Sequence, residues 1–253
     1  MMNGQELAGA ASRFGAMMLS CGGEINRVED SVARICAAYG YNDVGVFAIP
    51  RTLIITVTEN GVPVTRLENI KDKTVNLDRV ARLNALSRFI CRVRPDADCI
   101  ARRLDDIEKS PVYGRYSIIT AYFLSASAYA MFFGGGINEA AAAGLAGIAV
   151  RLMSRFSSKT DAGVFFENLM CAVVMSACAM LLAACGFAPR YDKTIIGALM
   201  TLVPGVTLTN GARDFIAGDF FAGTYTLIEA LLTALGIAAG VAVTVSLLRG
   251  FAV

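Results

Sequence analysis

The sequence predicts an α-helical integral membrane bundle of five transmembrane helices, preceded by a small cytosolic α+β domain. Charge distribution is the first reason. Residues 1–110 hold 15 of the 23 Lys/Arg and 14 of the 21 Asp/Glu, leaving 15 charges for the other 143 residues. The second is hydropathy: 55% of residues are hydrophobic and the mean hydropathy is +0.55, with long apolar runs confined to the stretch after residue 115. The third is a change of period, because β-branched runs of strand length occur only between residues 44 and 68.

The first element is a helix over 3–20, where Leu7, Ala10, Ala11, Phe14, Met17 and Met18 recur at helical spacing and Gly22-Gly23 closes it. A second, about 24–39, has Glu24 in its first turn and stops at Gly40. "VGVFAIP", "TLIITVTE" and "VPVTRLE" (44–50, 52–59, 62–68) read as strands, the last two joined by a tight Asn60-Gly61 hairpin. An amphipathic helix over 76–93 follows, with Leu77, Val80, Leu83 or Asn84, and Ser87 to Phe89 on its core side. Asp96 or Asp98 opens another to about 109, ended by Pro111. This domain takes residues 1–112.

Residues 113–253 carry the membrane region, in apolar runs at about 116–133, 138–154, 165–187, 194–209 and 224–248. Runs three and five reach the roughly 20 residues that a span needs. Glu6 and Arg13 interrupt the first apolar stretch, so no signal peptide is expected and the N-terminus stays cytoplasmic. The loops with Arg151, Arg155, Lys159 and with Arg213 then face the cytoplasm, Arg115 marks the start of the first span, and Arg190, Lys193 and Arg249 lie outside. Small residues four apart (Ala140 and Gly144, Ala143 and Gly147, Gly236 and Gly240) suit close helix contact, either inside the bundle or with a second membrane subunit.

Several chemistries are excluded. The chain has no His, which removes Ser-His and Cys-His catalysis and HExxH zinc sites. Its seven Cys include no CxxC; Cys171, Cys178 and Cys185 share one helix face as packing residues, and Cys21, Cys36, Cys91 and Cys99 read as reduced thiols. A net charge of +2 without a basic run gives no nucleic-acid footprint. No cofactor or metal site is expected.

Two polar stretches remain. In "GEINRVED" Glu24 and Arg27 are three apart and Asp30 and Arg34 four apart, so each pair meets on a helix. Glu24, Arg27, Glu29 and Asp30 form either a solvated helix start or a docking and gating surface. In residues 202–223 Pro204 and Gly205 interrupt an apolar helix, as happens where unwound backbone lines a substrate site. There Pro204, Gly205, Thr207 and Asn210 offer neutral hydrogen-bonding groups and backbone, Arg213 a fork for a carboxylate, and Asp214 a partner for an ammonium. The competing reading is a cytoplasmic loop above an ordinary kink. Asp219 and Glu229 are the proton-carrying candidates. If the last helix starts near Phe220, Glu229 lies about nine residues, roughly 13 Å, along it, where an ionised carboxylate needs a partner or a pKa raised toward neutrality. Glu139 and Glu167 open their helices as interfacial acids.

The residues 21–40 ("CGGEINRVEDSVARICAAYG"), 76–88 ("NLDRVARLNALSR") and 203–232 ("VPGVTLTNGARDFIAGDFFAGTYTLIEALL") resemble the threonine/serine exporter family, specifically its larger membrane subunit. The shared pattern is Gly-Glu with Arg-Val-Glu-Asp, then Pro-Gly, a polar Arg/Asn-x-x-Asp stretch, Gly-Asp and Glu-Ala-Leu; Thr226 departs from it where a basic residue is expected. The resemblance implies a secondary exporter of small polar metabolites (threonine, serine, or a dicarboxylate such as succinate) in the bacterial inner (plasma) membrane. It implies proton antiport and a small second membrane subunit as partner, and leaves a homo-oligomer open. The alternative is a membrane-anchored, hydrolase-like enzyme using the cytosolic domain, which the missing His and nucleophile motif disfavour.

Overall fold

The computed structural model describes residues 2–70, 74–110, 113–157 and 163–248. The expectations for Pro111, Lys159 and Arg249 lie outside the described residues. Contacts divide the chain into two units, Met1–Pro111 with Thr209–Thr226, and Val112–Leu208 with Leu227–Val253. The single cut at residue 112 expected above keeps 209–226 with the second region.

In the first unit, α1 (Gly4–Ser20) starts from a reciprocal cap: Asn3 accepts from the Glu6 amide at 2.7 Å, and the Glu6 carboxylate accepts from the Asn3 amide at 3.2 Å. Its inner row, Leu7, Ala11, Phe14 and Met18, is buried. Helix α2 (Ile25–Ala38) buries Ile25, Val28, Val32 and Ile35. Glu24, expected in its first turn, occupies the cap position and makes no capping hydrogen bond. The strands β1 (Val44–Ile49), β2 (Thr52–Glu59) and β3 (Val62–Asn69) form an antiparallel sheet in that order. Asn60 and Gly61 both have positive φ, 52° and 81°, as a two-residue hairpin of this twist requires.

Strand β2 alternates strictly, burying Leu53, Ile55 and Val57. A Cβ on Gly15 would lie 2.5 Å from a Leu53 methyl, so only glycine lets α1 settle this closely on β2. Helix α3 (Leu77–Val93) turns Leu83, Leu86, Ser87 and Ile90 inward. Leu77, expected on that side, is 64% exposed, because it stands in the open first turn, before the inward row begins. Helix α4 (Ala97–Glu108) is capped by Asp96, which accepts from the Cys99 amide at 3.1 Å.

The remaining helices are α5 (Arg115–Phe132), α6 (Ile137–Ser157), α7 (Val164–Ala184), α8 (Tyr191–Leu199), α9 (Gly205–Ile216) and α10 (Phe220–Leu248). The fourth apolar run, expected as one helix over 194–209, is two helices with a break between Leu199 and Gly205. Residue Val203 precedes proline, which disfavours helical backbone, and Pro204 has no amide to donate back into α8. Pro204 instead begins α9, its carbonyl accepting from the Leu208 amide at 2.9 Å. The stretch 210–222, expected as a loop, is helical but for a turn at 217–219. At 9 and 12 residues, α8 and α9 are each shorter than a span. Among the described residues α7 and α10 are long and apolar enough to cross a bilayer, with mean hydropathies of 1.9 and 2.2.

The core of the second unit is built from small residues, among them Ala126, Ala130, Ala143, Ala146, Ala179 and Ala198. Its glycines mark where backbones nearly touch. A Cβ on Gly147 would stand 2.8 Å from the Tyr122 carbonyl oxygen, and one on Gly236 or Gly240 2.5 Å from that of Phe165 or Leu169. These glycines of the small-residue pairs thus make close contacts within the bundle.

Candidate functional site

Helix α9 has an inner face of Thr207, Asn210, Gly211 and Asp214, spaced three and four apart. Gly211 and Asp214 are buried, Thr207 and Asn210 half-buried, while Val206, Leu208, Phe215 and Ile216 are exposed. Polar residues inward and large apolar residues outward is the reverse of a helix on a water-soluble protein. Asp214 is 3% exposed; a carboxylate placed so deeply needs a partner. Pro204 lines an apolar groove with Leu199, Val203, Leu208, Leu227 and Leu231, so its ring meets hydrocarbon. Gly205 is exposed.

Helix α10 repeats the inverted arrangement over a greater length. Thr226, Ala230, Thr233, Ile237 and Thr244 are buried, whereas Ile228, Leu231, Leu232, Leu235, Val243 and Leu247 are exposed. The Thr233 and Thr244 hydroxyls donate to carbonyls one turn back, those of Glu229 and Gly240, at 3.0 and 2.9 Å. Their hydrogen bonding is thereby satisfied inside the helix. The half-buried Glu229 stands between Thr226 and Thr233, three residues after one and four before the other. Since α10 begins at Phe220, Glu229 lies about 13 Å along it. The start is fixed by Asp219, whose carboxylate accepts from the Ala222 amide at 3.1 Å.

The two polar stretches, nearly two hundred residues apart in sequence, converge in the first unit. The Arg213 guanidinium, expected to receive a substrate carboxylate, donates to the Glu24 carboxylate. Glu24 also faces Arg27 at 3.8 Å. Asp30 and Arg34 meet at 2.6 Å on an exposed face. Glu29 turns toward the sheet and accepts from the Ala48 amide at 2.8 Å. Burial pushes its pKa above the usual carboxylate value, the Ala48 hydrogen bond opposes this, and the charges of Asp219 and Asp30 raise it further. The cluster is thus a charged surface joining α2 to the 213–219 stretch. Gly223 seats α10 against α9 there: a Cβ on it would lie 3.1 Å from the Gly211 carbonyl oxygen.

Glu139 is buried, receives the Gly136 amide at 2.8 Å and pairs with Arg190 at 3.3 Å. Arg190 also donates to the Gly134 carbonyl, so the pair ties the α5–α6 turn to the start of α8. Glu167 accepts from Ser154 at 3.2 Å. All seven cysteines are free thiols; Cys171 is buried, Cys178 half-buried and Cys185 exposed, so the seven-residue repeat drifts off the core face. Among the described residues no group of three or more Cys, Asp or Glu stands where a metal could be held.

Sequence reasoning missed three site features. Thr226 and Thr233 flank Glu229 on the inner face, and a Thr at i−3 and i+4 around a helical carboxylate is a signal that could have found them. The Arg213–Glu24 and Glu139–Arg190 pairs had no local signal.

Small residues packed inward, large apolar residues facing out, and two helices long and apolar enough to cross a bilayer are the pattern of a helical membrane protein. The chain belongs to the family described as "Putative threonine/serine exporter", whose model matches residues 10–248. No curated protein and no solved structure matches it.

Proposed function

We propose that the chain is the larger subunit of a secondary exporter that moves small polar metabolites out of the cell by proton antiport. Threonine or serine is the favoured cargo and a dicarboxylate such as succinate the other. The observation that carries this reading is Glu229 on the hydroxyl-bearing inner face of α10. A carboxylate at such a position is costly when ionised and is therefore suited to binding and releasing a proton at a cycle step. The inner face of α9 supplies the substrate groups: Thr207 and Asn210 for hydroxyl or ammonium, Asp214 for the ammonium. The interruption at Pro204 and Gly205, where α9 begins, sets the near end of that site. Asp219 is a second proton carrier, and Arg213 with Glu24, Arg27, Glu29 and Asp30 is a latch that gates the site.

In this reading the α5, α6, α7, α8–α9 and α10 runs all cross the bacterial inner membrane, with the N-terminus in the cytoplasm. The exposed apolar side chains face lipid and a small second membrane subunit, and a homo-oligomer is compatible with the same surface.

The test is efflux from right-side-out or reconstituted vesicles, with both subunits present, loaded in turn with labelled threonine, serine and succinate under an imposed pH gradient. Glu229→Gln is expected to abolish gradient-driven efflux while substrate-for-substrate exchange persists, since the amide mimics the protonated state. Unchanged gradient-driven efflux for every cargo would remove Glu229 from the mechanism.

A further inference from the structure

Helices α2 and α3 enclose an open polar cleft of ≈ 760 Å³ in the first unit, lined in part by Arg27, Glu29 and Asp30 of the latch and otherwise by residues with no part in transport. Arg27, Arg34 and Arg88 bring three guanidiniums to its lining, against two carboxylates, Glu29 and Asp30. Both acids are committed: Glu29 to the Ala48 amide and Asp30 to Arg34. Arg27 holds Glu24 only at 3.8 Å, and Arg88 makes no ion pair among the described residues. The lining therefore carries one more positive than negative charge, with Arg88 the guanidinium that no carboxylate of the described residues holds. Its neutral lining is uniformly hydrogen-bonding, with Asn26, Ser31 and Asn84 half-buried and Ser87 buried. Forked guanidiniums beside amide and hydroxyl groups match a carboxylate with a further polar substituent.

We propose that the α2–α3 cleft is a binding site for a small carboxylate-bearing metabolite, seated on Arg88 and Arg27 with Asn84 and Ser31 receiving its second polar group. A site there reads the cytosolic level of such a metabolite, and its α2 wall is the helix whose first residues meet Arg213. The assignment does not depend on the transport mechanism. A zwitterionic amino acid and a dicarboxylate share the carboxylate that the cleft selects.

Arginine modification by phenylglyoxal on the purified full-length chain, read residue by residue by peptide mass spectrometry, tests the assignment. L-threonine, L-serine and succinate are the probes, with L-threoninamide as the control that lacks the carboxylate. At ten times its dissociation constant a bound probe slows Arg88 modification about tenfold, while exposed Arg92 on the same helix reacts at its unliganded rate. Protection by the amino acids alone marks a zwitterion site, and protection by succinate alone a dicarboxylate site. Asn84→Leu removes the protection, and Glu229→Gln preserves it, which separates this site from the transport path. No protection by any probe, equal protection by L-threoninamide, or equal slowing at Arg92 overturns the proposal.

Discussion

The two units solve opposite packing problems with the same amino acids. Over residues 2–110 the first buries its largest side chains, Phe14, Leu7, Met18, Leu53 and Ile55, and shows charge to its surroundings. The second buries alanine and glycine and exposes Phe132, Leu145, Phe166, Leu181, Leu235 and Leu247. In water, removing apolar area from solvent contributes about 25 cal/mol per Å², so bulk belongs inside. In lipid no such gain exists between helices, and stability comes from close backbone approach and satisfied polar groups. The glycine contacts of α6 and α10 and the inward threonines of α10 are what that second regime selects.

The largest expected effect tests the water-type core. Leu53→Ala leaves a hole between α1 and β2 where no neighbour can follow, since Gly15 already presses on the leucine methyl. The expected loss is about 4 kcal/mol, measured as hydrogen-exchange protection of peptides covering 44–69. A loss under about 1 kcal/mol would mean that the first unit is not held by bulk burial.

A smaller effect separates the two surfaces. Leu67 on β3 and Leu235 on α10 are 57% and 50% exposed, so exposure alone predicts equal tolerance. Leu67→Arg is expected to change stability by no more than about 0.5 kcal/mol. Leu235→Arg, facing hydrocarbon, is expected to cost about 3 kcal/mol and to lower the membrane-inserted fraction on fractionation. Equal behaviour of the two variants would break the contrast.

What the sequence disclosed follows from the range of the interactions. Features decided within five residues were legible: the Asn60-Gly61 hairpin, a helix start at Asp96 or Asp98, the β2 strand and the stop at Gly40. Exporter-family membership was legible from three ordered motifs. The interruption at Pro204 and Gly205 was legible, but as an unwound point within one helix over 194–209, because proline interrupts a helix and starts one with the same chemistry. Only the hydrogen bond from the Leu208 amide to the Pro204 carbonyl shows that a second helix begins there. The ion pair of Arg213 with Glu24 joins residues with nothing between them in sequence to suggest it. The inner threonines of α10 were overlooked because hydropathy averages a helix, whereas the site depends on which side each residue faces.

The smallest expected effect lies where the charged cluster meets the first unit. Burial and the nearby charges of Asp219 and Asp30 raise the Glu29 pKa in the folded protein above 4.5. Just above pH 4.5 the folded state keeps a proton that the unfolded chain has already released, so the folded state binds more protons. Stability of the first unit therefore falls as pH rises through the interval between the unfolded and the raised folded value, and is flat in this respect above it. Glu29→Gln keeps the oxygen that accepts from Ala48 and removes the titration, so the slope in that interval should vanish while the hydrogen bond survives. Asp219→Asn should shrink the slope without erasing it, because burial is the larger cause. Hydrogen exchange of the α2 peptide from pH 4 to 7, corrected for intrinsic rates, reads both variants. A slope unchanged in Glu29→Gln would assign the pH dependence to another group and leave Glu29 an ordinary surface acid of the kind the water-facing unit carries elsewhere.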